Sequence, residues 1–408
     1  MAAMPRFLLA SDSLKGTISS AHAAELLAEA AQAEFPGAEV RRLAVADGGE
    51  GTVEAVVAAA GGELRRVVAH GPRGAAAEAS YALLGDGRAL IEMAAASGLP
   101  LLAAAERDPR ETSTFGTGEL IADALDQGAR DITLAVGGSA TNDGGMGCMR
   151  ALGVRFLDEC GRELAGTGAD LARVRSIDAS GLDARVGETR FSVMCDVDNP
   201  LLGERGCARV FAPQKGATPA VVEELERGMA SYAHVLEEAS RAGALPGGGF
   251  RDGVLPGEGR RLFDAAAPGM GAAGGLAAAT CAFLSAEMAP GIECVLDLVG
   301  FDRMLEGCDL CVTGEGHADA QSAHGKVVSG IAARCLRAGV PCVAVVGGMD
   351  ADATELLAVG VDAIVPTVID VCAIDDALAR AEENYRLAAS RLFSLLRIGG
   401  GLDETSRA

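Results

Sequence analysis

Short apolar runs alternate with stretches of helical periodicity along most of the chain. The apolar runs predict strands at residues 6–10, 41–45, 131–136, 191–194, 310–313, 342–346 and 363–366. Apolar positions spaced three and four residues apart predict helices over residues 19–33, 50–60, 118–127, 219–240, 326–338 and 375–396. Strands that alternate with helices in this way are typical of an α/β protein with a largely parallel sheet.

Three stretches depart from this alternation. Residues 241–275 hold the glycine- and proline-rich strings LPGGG, LPGEG and PGMGAAGG, which predict a long loop. Residues 265–286 carry no charge and reach membrane-spanning length, but their Gly and Ala content and Pro268 predict a glycine turn followed by a buried helix. The polar end of the chain predicts a flexible tail over residues 399–408. The first residues lack the apolar core of a signal peptide, so we expect a cytoplasmic protein without a membrane segment.

Composition and charge narrow the classes of function. The chain has 408 residues, 49% of them hydrophobic, which is enough for two or three domains. A net charge of −22 argues against nucleic-acid binding, and any anionic ligand must be held by local cations. The 11 cysteines fit reduced thiols, and the single CxxC of Cys308 and Cys311 predicts buried cysteine rather than a zinc site.

Lysine is nearly absent from the sequence. Of the 35 basic residues only Lys15, Lys215 and Lys326 are lysines, and each stands beside a glycine. Close backbone approach is possible beside glycine, and a compact ammonium group there can meet a ligand oxygen. The alternative is that codon bias explains the scarcity of lysine and that these three lysines remain by chance. We favour ligand contact.

The ends of the predicted strands are rich in acidic residues and glycine. In parallel α/β sheets ligands bind beyond these carboxyl ends. Glycine turns that open helices bind anions, and carboxylates beside them are compatible with phosphate when magnesium lies between. Together these features predict a phosphoryl-transfer site, although a helix cap or a turn explains any single Asp equally well. A GxGxxG string at residues 269–274 does not follow a strand, so a dehydrogenase is not supported.

A series of motifs follows along the chain in one order, within a stretch from about residue 6 to residue 349: SDSLKGT, ADGGEGT, GPRG, IEMAAASGLPLL, TSTFGTGELI, VGGSATNDGGMG, CDVDNPLLG, FAPQKGAT, GMGAAGGL and TGEGHADAQSAHGK. This series resembles the glycerate kinase family, type 1, the bacterial glycerate 2-kinases. The resemblance implies ATP-dependent phosphorylation of D-glycerate to 2-phosphoglycerate, or alternatively to 3-phosphoglycerate, with Mg²⁺. It also implies a flavodoxin-like parallel-sheet domain built from residues 1–75 and 288–398, and a second α/β domain inserted over residues 76–287.

The resemblance and the chemistry of the motifs together assign roles to individual residues. The candidates for catalysis are Asp47, Asp198 and Lys15. The candidates for nucleotide binding are Gly137, Gly138, Ser139, Thr141, Asn142, Lys215 and Lys326. The candidates for substrate binding are Asp12, Ser13 and Gln321, and those for magnesium are Asp196, Asp198, Glu315 and Asp319. His317, Ala318 and Ala320 depart from the family motif.

Because the candidate residues come from both predicted domains, we expect the active site in a cleft between them that closes on substrate. A different class of function is a regulatory module that binds a nucleotide or a sugar acid without turnover. A module that only binds an anionic ligand would gain nothing from carboxylates unless a metal were present. The acidic strand ends therefore favour a kinase. The sequence leaves open whether the protein is a monomer or a homodimer.

Overall fold

The computed structural model describes residues 4–14, 16–45, 51–245, 263–370 and 372–405, with side chains as far as residue 400. The candidates Lys15 and Asp47 lie outside the described residues, as do residues 246–262 of the predicted loop at 241–275. The chain divides into two compact units. Unit 1 comprises Met1–Ala60 and Ile292–Ala408, and unit 2 comprises Gly61–Gly291, so both boundaries differ from the predicted 75/76 and 287/288.

The described part of the chain forms 13 strands and 13 α-helices. The strands are β1 (Arg6–Ser11), β2 (Glu39–Ala44), β3 (Glu63–His70), β4 (Ala76–Leu83), β5 (Arg88–Glu92), β6 (Asp131–Ala135), β7 (Arg155–Leu157), β8 (Ser176–Asp178), β9 (Arg190–Met194), β10 (Glu287–Ala289), β11 (Leu310–Ala318), β12 (Cys342–Met349) and β13 (Ala363–Pro366). The helices are α1 (Ser20–Glu34), α2 (Thr52–Ala60), α3 (Ala94–Ser97), α4 (Phe115–Asp126), α5 (Met146–Ala151), α6 (Cys207–Phe211), α7 (Pro219–Arg241), α8 (Leu276–Leu284), α9 (Gly291–Leu298), α10 (Phe301–Leu305), α11 (Val327–Ala338), α12 (Ile374–Ala379) and α13 (Ala381–Thr405).

Unit 1 has a five-stranded sheet in the order β2-β1-β11-β12-β13. All its strands are parallel, and the order matches the flavodoxin-like pattern that the sequence predicts. One face of the sheet buries Phe7, Leu9 and Val312 in a core shared with α1 and α13. The direction in which strands are added reverses between β1 and β11, and this reversal is where such sheets bind ligands.

Unit 2 has a six-stranded sheet in the order β10-β9-β6-β5-β4-β3. The strands β5, β6, β9 and β10 are parallel, whereas β3 and β4 pair antiparallel with each other and β4 pairs antiparallel with β5. The sequence analysis predicted none of the strands β3, β4 and β5. Residues 61–75 belong to unit 2 because β3 pairs with β4 along its whole length.

Several helices begin and end where the sequence predicts. The hydroxyl of Ser19 accepts the N–H of His22 and caps α1, and α8 is the buried helix expected after the glycine turn. The helix predicted over 375–396 is in fact two helices, because the backbone at Arg380 leaves helical geometry between α12 and α13. The second of them continues to Thr405, so residues 399–405 are helical. None of the helices that the structure describes combines the length and the apolar character needed to cross a bilayer.

Candidate active site

A cavity of about 620 Å³ opens in unit 1 beyond the carboxyl ends of its strands. Four of the predicted site residues line it: Asp12, Ser13, Glu315 and Lys326. Asp12 and Ser13 follow β1 and Glu315 lies in β11, so the cavity stands at the reversal of strand order. Residues more than 300 positions apart in the sequence are thereby brought to one ligand-sized pocket.

Glu315 is the buried acid of this cavity. Only 8% of the residue is exposed, and none of the described residues forms a hydrogen bond with its Oε1 atom. Burial raises the pKa of Glu315, and the Asp12 and Asp319 carboxylates add to the effect, while Ser322 and Lys326 oppose it. A buried carboxylate oxygen without a protein donor is suited to a ligand or an ion.

Asp12 is held against the neighbouring strand. Its backbone N–H donates to the carbonyl of Gly314 at 2.9 Å, directly before Glu315. Its Oδ1 atom accepts the N–H of Ser13 at 2.6 Å. The end of β1 is therefore tied to β11, and two carboxylates face the same cavity from adjacent strands.

Lys326 supplies positive charge to the cavity. It is the N-cap residue of α11, and its Nζ lies 3.8 Å from Oδ1 of Asp319. The ammonium group and the first N–H groups of the helix favour an anion at this end of α11. Asp319 instead caps a short 3-10 turn, where its Oδ1 accepts the N–H of Ser322 at 3.1 Å, and Gln321 in that turn is exposed. Neither Asp319 nor Gln321 is part of the cavity lining.

An apolar wall completes the cavity, and sequence reasoning missed it. Val368, Ile374 and Leu378 line the pocket and are nonetheless 40–75% exposed to solvent. They follow β13 or lie on α12, where the sequence shows only an ordinary helical pattern. Large apolar side chains left in water beside charged groups are typical of a binding surface.

His317, which departs from the family motif, also lines this cavity. Its Nε2 atom lies 3.3 Å from Oδ1 of Asp350, and half of the side chain is exposed. The imidazole is therefore engaged by an acid of the loop after β12. It does not provide the guanidinium fork that an arginine would present.

In unit 2 the GGSATNDGG motif forms the loop between β6 and α5. Nζ of Lys215 donates to Ser139 Oγ at 2.8 Å and to the carbonyl of Thr141 at 2.6 Å. Lys215 is only 1% exposed, and burial lowers its pKa to about 8. Thr141 and Asn142 are also fully buried, and their side-chain polar atoms have no hydrogen-bond partner among the described residues. Gly137 and Gly138 are exposed at the turn itself.

Asp143 organises this loop, and sequence reasoning assigned it no role. Its buried carboxylate accepts hydrogen bonds from the N–H and hydroxyl of Thr114 and from the N–H groups of Gly145 and Gly147, at 2.7–3.2 Å. Burial raises its pKa although these bonds act in the opposite direction. The sequence signal that could have identified Asp143 is its position before two glycines. Both glycines adopt positive φ in the structure.

Asp196 and Asp198 lie in the exposed loop after β9. Since β9 is parallel to β6, this loop and the GGSATNDGG turn leave the same edge of the unit 2 sheet. Oδ1 of Asp196 accepts the N–H of Gly291 at 2.8 Å. The Arg205 guanidinium beside Asp198 holds the pKa of that carboxyl below its usual range, which does not favour a role as proton acceptor.

The candidate magnesium ligands do not come together within either unit. Glu315 and Asp319 belong to unit 1, whereas Asp196 and Asp198 belong to unit 2. Across the described ranges, the group of three side chains that is close enough to share an ion consists of cysteines and lies elsewhere in unit 1. The metal assignment and the expected cleft between the domains stay predictions.

The fold defines an α/β protein whose ligand-sized cavity lies at the reversal of strand order, the position where such sheets bind ligands. The sequence model of the glycerate kinase family matches residues 7–397. Glycerate kinase of Bacillus subtilis (strain 168) is 40% identical over 96% of this chain and 98% of its own length. Glycerate 2-kinase of Escherichia coli (strain K12) is 39% identical over 97% of this chain and 98% of its own length. The crystal structure of the protein designated glycerate kinase 2 of Salmonella typhimurium LT2 superposes with a TM-score of 0.82 at 39% identity, covering 98% of this chain and 100% of that one. The chain belongs to the glycerate kinase family.

Proposed function

We propose that this enzyme transfers the γ-phosphoryl group of ATP to the 2-hydroxyl of D-glycerate, producing 2-phosphoglycerate and ADP. The observation that carries the proposal is the unit 1 cavity, where two carboxylates and a lysine meet at the reversal of strand order. The name of the E. coli relative, glycerate 2-kinase, supports the choice of the 2-hydroxyl.

We propose that the nucleotide occupies the unit 1 cavity. Its volume of about 620 Å³ suits a ligand of this size. The apolar wall of Val368, Ile374 and Leu378 offers contact area for the base, whereas Lys326 and the N-terminus of α11 attract the phosphates. The cavity therefore offers a positively charged region for the phosphates and an apolar region for the base.

The donor set of this cavity fits magnesium. Oε1 of Glu315 is buried and has no hydrogen-bond partner in the described ranges, and Asp12 lines the same cavity. Carboxylate oxygens combined with phosphate oxygens are the ligands that Mg²⁺ prefers. When bound, the ion supplies the positive charge that offsets the developing negative charge on the transferring phosphoryl group. Glu315 and Asp12 would hold it, and Lys326 would orient the phosphates.

For unit 2 we propose that some residues of the GGSATNDGG loop contact the ligand and that other residues support the loop. The exposed Gly137 and Gly138, with Ser139, form the turn that contacts an anionic ligand. Lys215 holds that turn in place, because its Nζ donates to Ser139 Oγ and to the carbonyl of Thr141. The part of Lys215 in nucleotide binding is therefore indirect.

The protein is expected to act in the cytoplasm, where ATP is available, as a monomer or a homodimer. With a net charge of −22, neither nucleic acid nor an anionic membrane surface is an expected partner.

Product analysis tests the proposed reaction. The purified protein is incubated with D-glycerate, ATP and Mg²⁺, and the products are followed by phosphorus NMR, which distinguishes 2-phosphoglycerate from 3-phosphoglycerate. We expect 2-phosphoglycerate and ADP in equal amounts, with no ADP formed when magnesium is removed by a chelator. Formation of 3-phosphoglycerate would overturn the choice of hydroxyl, and D-glycerate that stays unphosphorylated in the presence of ATP and Mg²⁺ would overturn the choice of donor.

A further inference from the structure

Three cysteine thiols meet in the interior of unit 1. Cys311 lies in β11, Cys342 in β12 and Cys335 in α11. Their sulfur atoms all lie within 4.8 Å of one another, and none of the three residues is exposed. Cys311 and Cys342 are paired residues on adjacent parallel strands, so both side chains point to the face of the sheet that α11 covers.

The size of this triangle suits a single bound ion. An ion with sulfur bonds of about 2.3 Å, as zinc has, requires sulfur atoms about 4 Å apart when it lies among three thiolates. The observed separations fall within the range that small side-chain rotations can adjust. Soft thiolate ligands without oxygen or nitrogen donors select thiophilic ions.

The charge of the surroundings distinguishes among such ions. The register partner of Cys311 on β1 is Leu8, and Ile331 of α11 is fully buried. Asp362, an exposed residue, accepts the N–H of Cys342 at 2.8 Å. Three thiolates around a monovalent or divalent ion leave a net negative charge, which is costly in an apolar interior. Three thiolates around a trivalent centre are neutral.

We propose that Cys311, Cys335 and Cys342 form a binding site for a trivalent thiophilic metalloid of the arsenite class. Binding converts As(OH)3 and three thiols into As(S-Cys)3 and three water molecules. Three arsenic–oxygen and three sulfur–hydrogen bonds break, and three arsenic–sulfur and three oxygen–hydrogen bonds form. No group is oxidised or reduced, and the bound complex carries no charge.

The burial of the cluster predicts slow uptake. Because all three cysteines have zero exposure, the metalloid enters only when α11 separates locally from the sheet. The uptake rate is therefore expected to level off at high arsenite concentration, at the rate of this opening. The bound ion would join β11, β12 and α11, and β11 also carries Glu315.

The test uses the full-length protein, reduced with a phosphine rather than a competing dithiol, and incubated with sodium arsenite. We expect native mass spectrometry to show one arsenic per chain, and arsenic X-ray absorption to show three sulfur neighbours. Cys335→Ala and Cys342→Ala should each weaken binding at least tenfold. The matched control is Cys281→Ala, a buried cysteine of α8 in unit 2, which should bind as the parent does. Circular dichroism verifies that each variant is folded, and Cys335→Ser replaces the alanine variant if that one does not fold.

Four results would overturn the proposal. These are two sulfur neighbours instead of three, an equal loss of binding in Cys281→Ala, tighter binding of zinc than of arsenite, or no uptake even when the chain is refolded in the presence of arsenite. None of these readouts depends on kinase activity, so the outcome is independent of the proposed reaction.

Discussion

Glu315 combines burial, a raised pKa and an oxygen to which no residue in the described part of the chain donates a hydrogen bond. Replacing it by glutamine keeps the volume and removes the negative charge. We expect Glu315→Gln to lower kcat roughly 100-fold or more, the size of effect typical for one electrostatic group of an active site. Steady-state kinetics at saturating ATP and glycerate measure the loss. The control is Glu383→Gln on the exposed surface of α13, which should behave as the parent. Equal activity of the two variants would remove Glu315 from the site.

Lys326 tests whether the rare lysines contact ligands. Arginine keeps the positive charge but not the compact donor, so we expect Lys326→Arg to raise KM for ATP several-fold, and Lys326→Met to raise it further. The lysine side chain is 41% exposed, so both changes should leave folding intact. The exposed Arg337→Lys at the other end of α11 is the matched control and should be silent. Unchanged KM values in both Lys326 variants would show that this lysine does not contact ATP.

Lys215 should make stability depend on pH. Its pKa of about 8 in the folded protein lies below the ordinary value of 10.5, so between these pH values the unfolded chain binds the extra proton. The free energy of unfolding contributed by Lys215 must therefore rise as pH increases from about 8 to about 10.5, by about 3 kcal/mol at most. Urea denaturation of the parent and of Lys215→Met at several pH values measures this difference. A difference that stays flat, or falls with rising pH, would contradict the lowered pKa.

At the scale of elements, sequence patterns located the strands that are buried on both faces. The buried runs of β1, β6, β9, β11 and β12 lie within a few residues of their predicted positions because continuous apolar segments are strong local signals. The pattern failed at β3, whose residues are mostly exposed and include Arg65 and Arg66. Its pairing with β4 depends on a partner strand, and local sequence does not encode that.

The same limit applies to the candidate site. The positions of Asp12 and Glu315 at the cavity could be predicted because strand ends in parallel sheets identify ligand positions, and Lys326 could be singled out because it is one of three lysines, each beside a glycine. The apolar wall could not, because Ile374 and Leu378 stand three and four residues from other apolar positions and so look like the buried face of a helix. Only the structure places them in solvent beside a charged cavity.

The apolar wall leads to a prediction for α12. If Leu378 contacts the nucleotide base, Leu378→Asp should raise KM for ATP roughly 10-fold, since one lost apolar contact amounts to about 1–2 kcal/mol. Leu378 is 49% exposed, so the melting temperature should hardly change. Leu357→Asp is a matched control, because Leu357 is also 49% exposed but does not line the cavity. Similar KM values for the two variants would place the base elsewhere.

At the scale of the whole molecule, the two units have separate hydrophobic cores. The sheet of unit 1 supplies the cavity, and the loop of unit 2 supplies the exposed glycine turn. Whether both contact the same ligands is a question that amide hydrogen exchange answers segment by segment, because a bound ligand stabilises the segments that hold it.

We expect a non-hydrolysable ATP analogue with Mg²⁺ to slow exchange in residues 12–18, 315–328 and 372–381 of unit 1, because these segments contain or adjoin the lining of the cavity. If the glycine turn contacts the phosphates as proposed, residues 137–145 of unit 2 should be protected in the same experiment. The hairpin β7–β8 is the internal control and should exchange unchanged. Protection restricted to unit 1 would remove Gly137, Gly138 and Ser139 from nucleotide binding, whereas protection restricted to unit 2 would move the nucleotide out of the cavity. Adding D-glycerate then separates substrate contacts from nucleotide contacts, and protection that appears only with both ligands identifies the segments that close around the reacting groups.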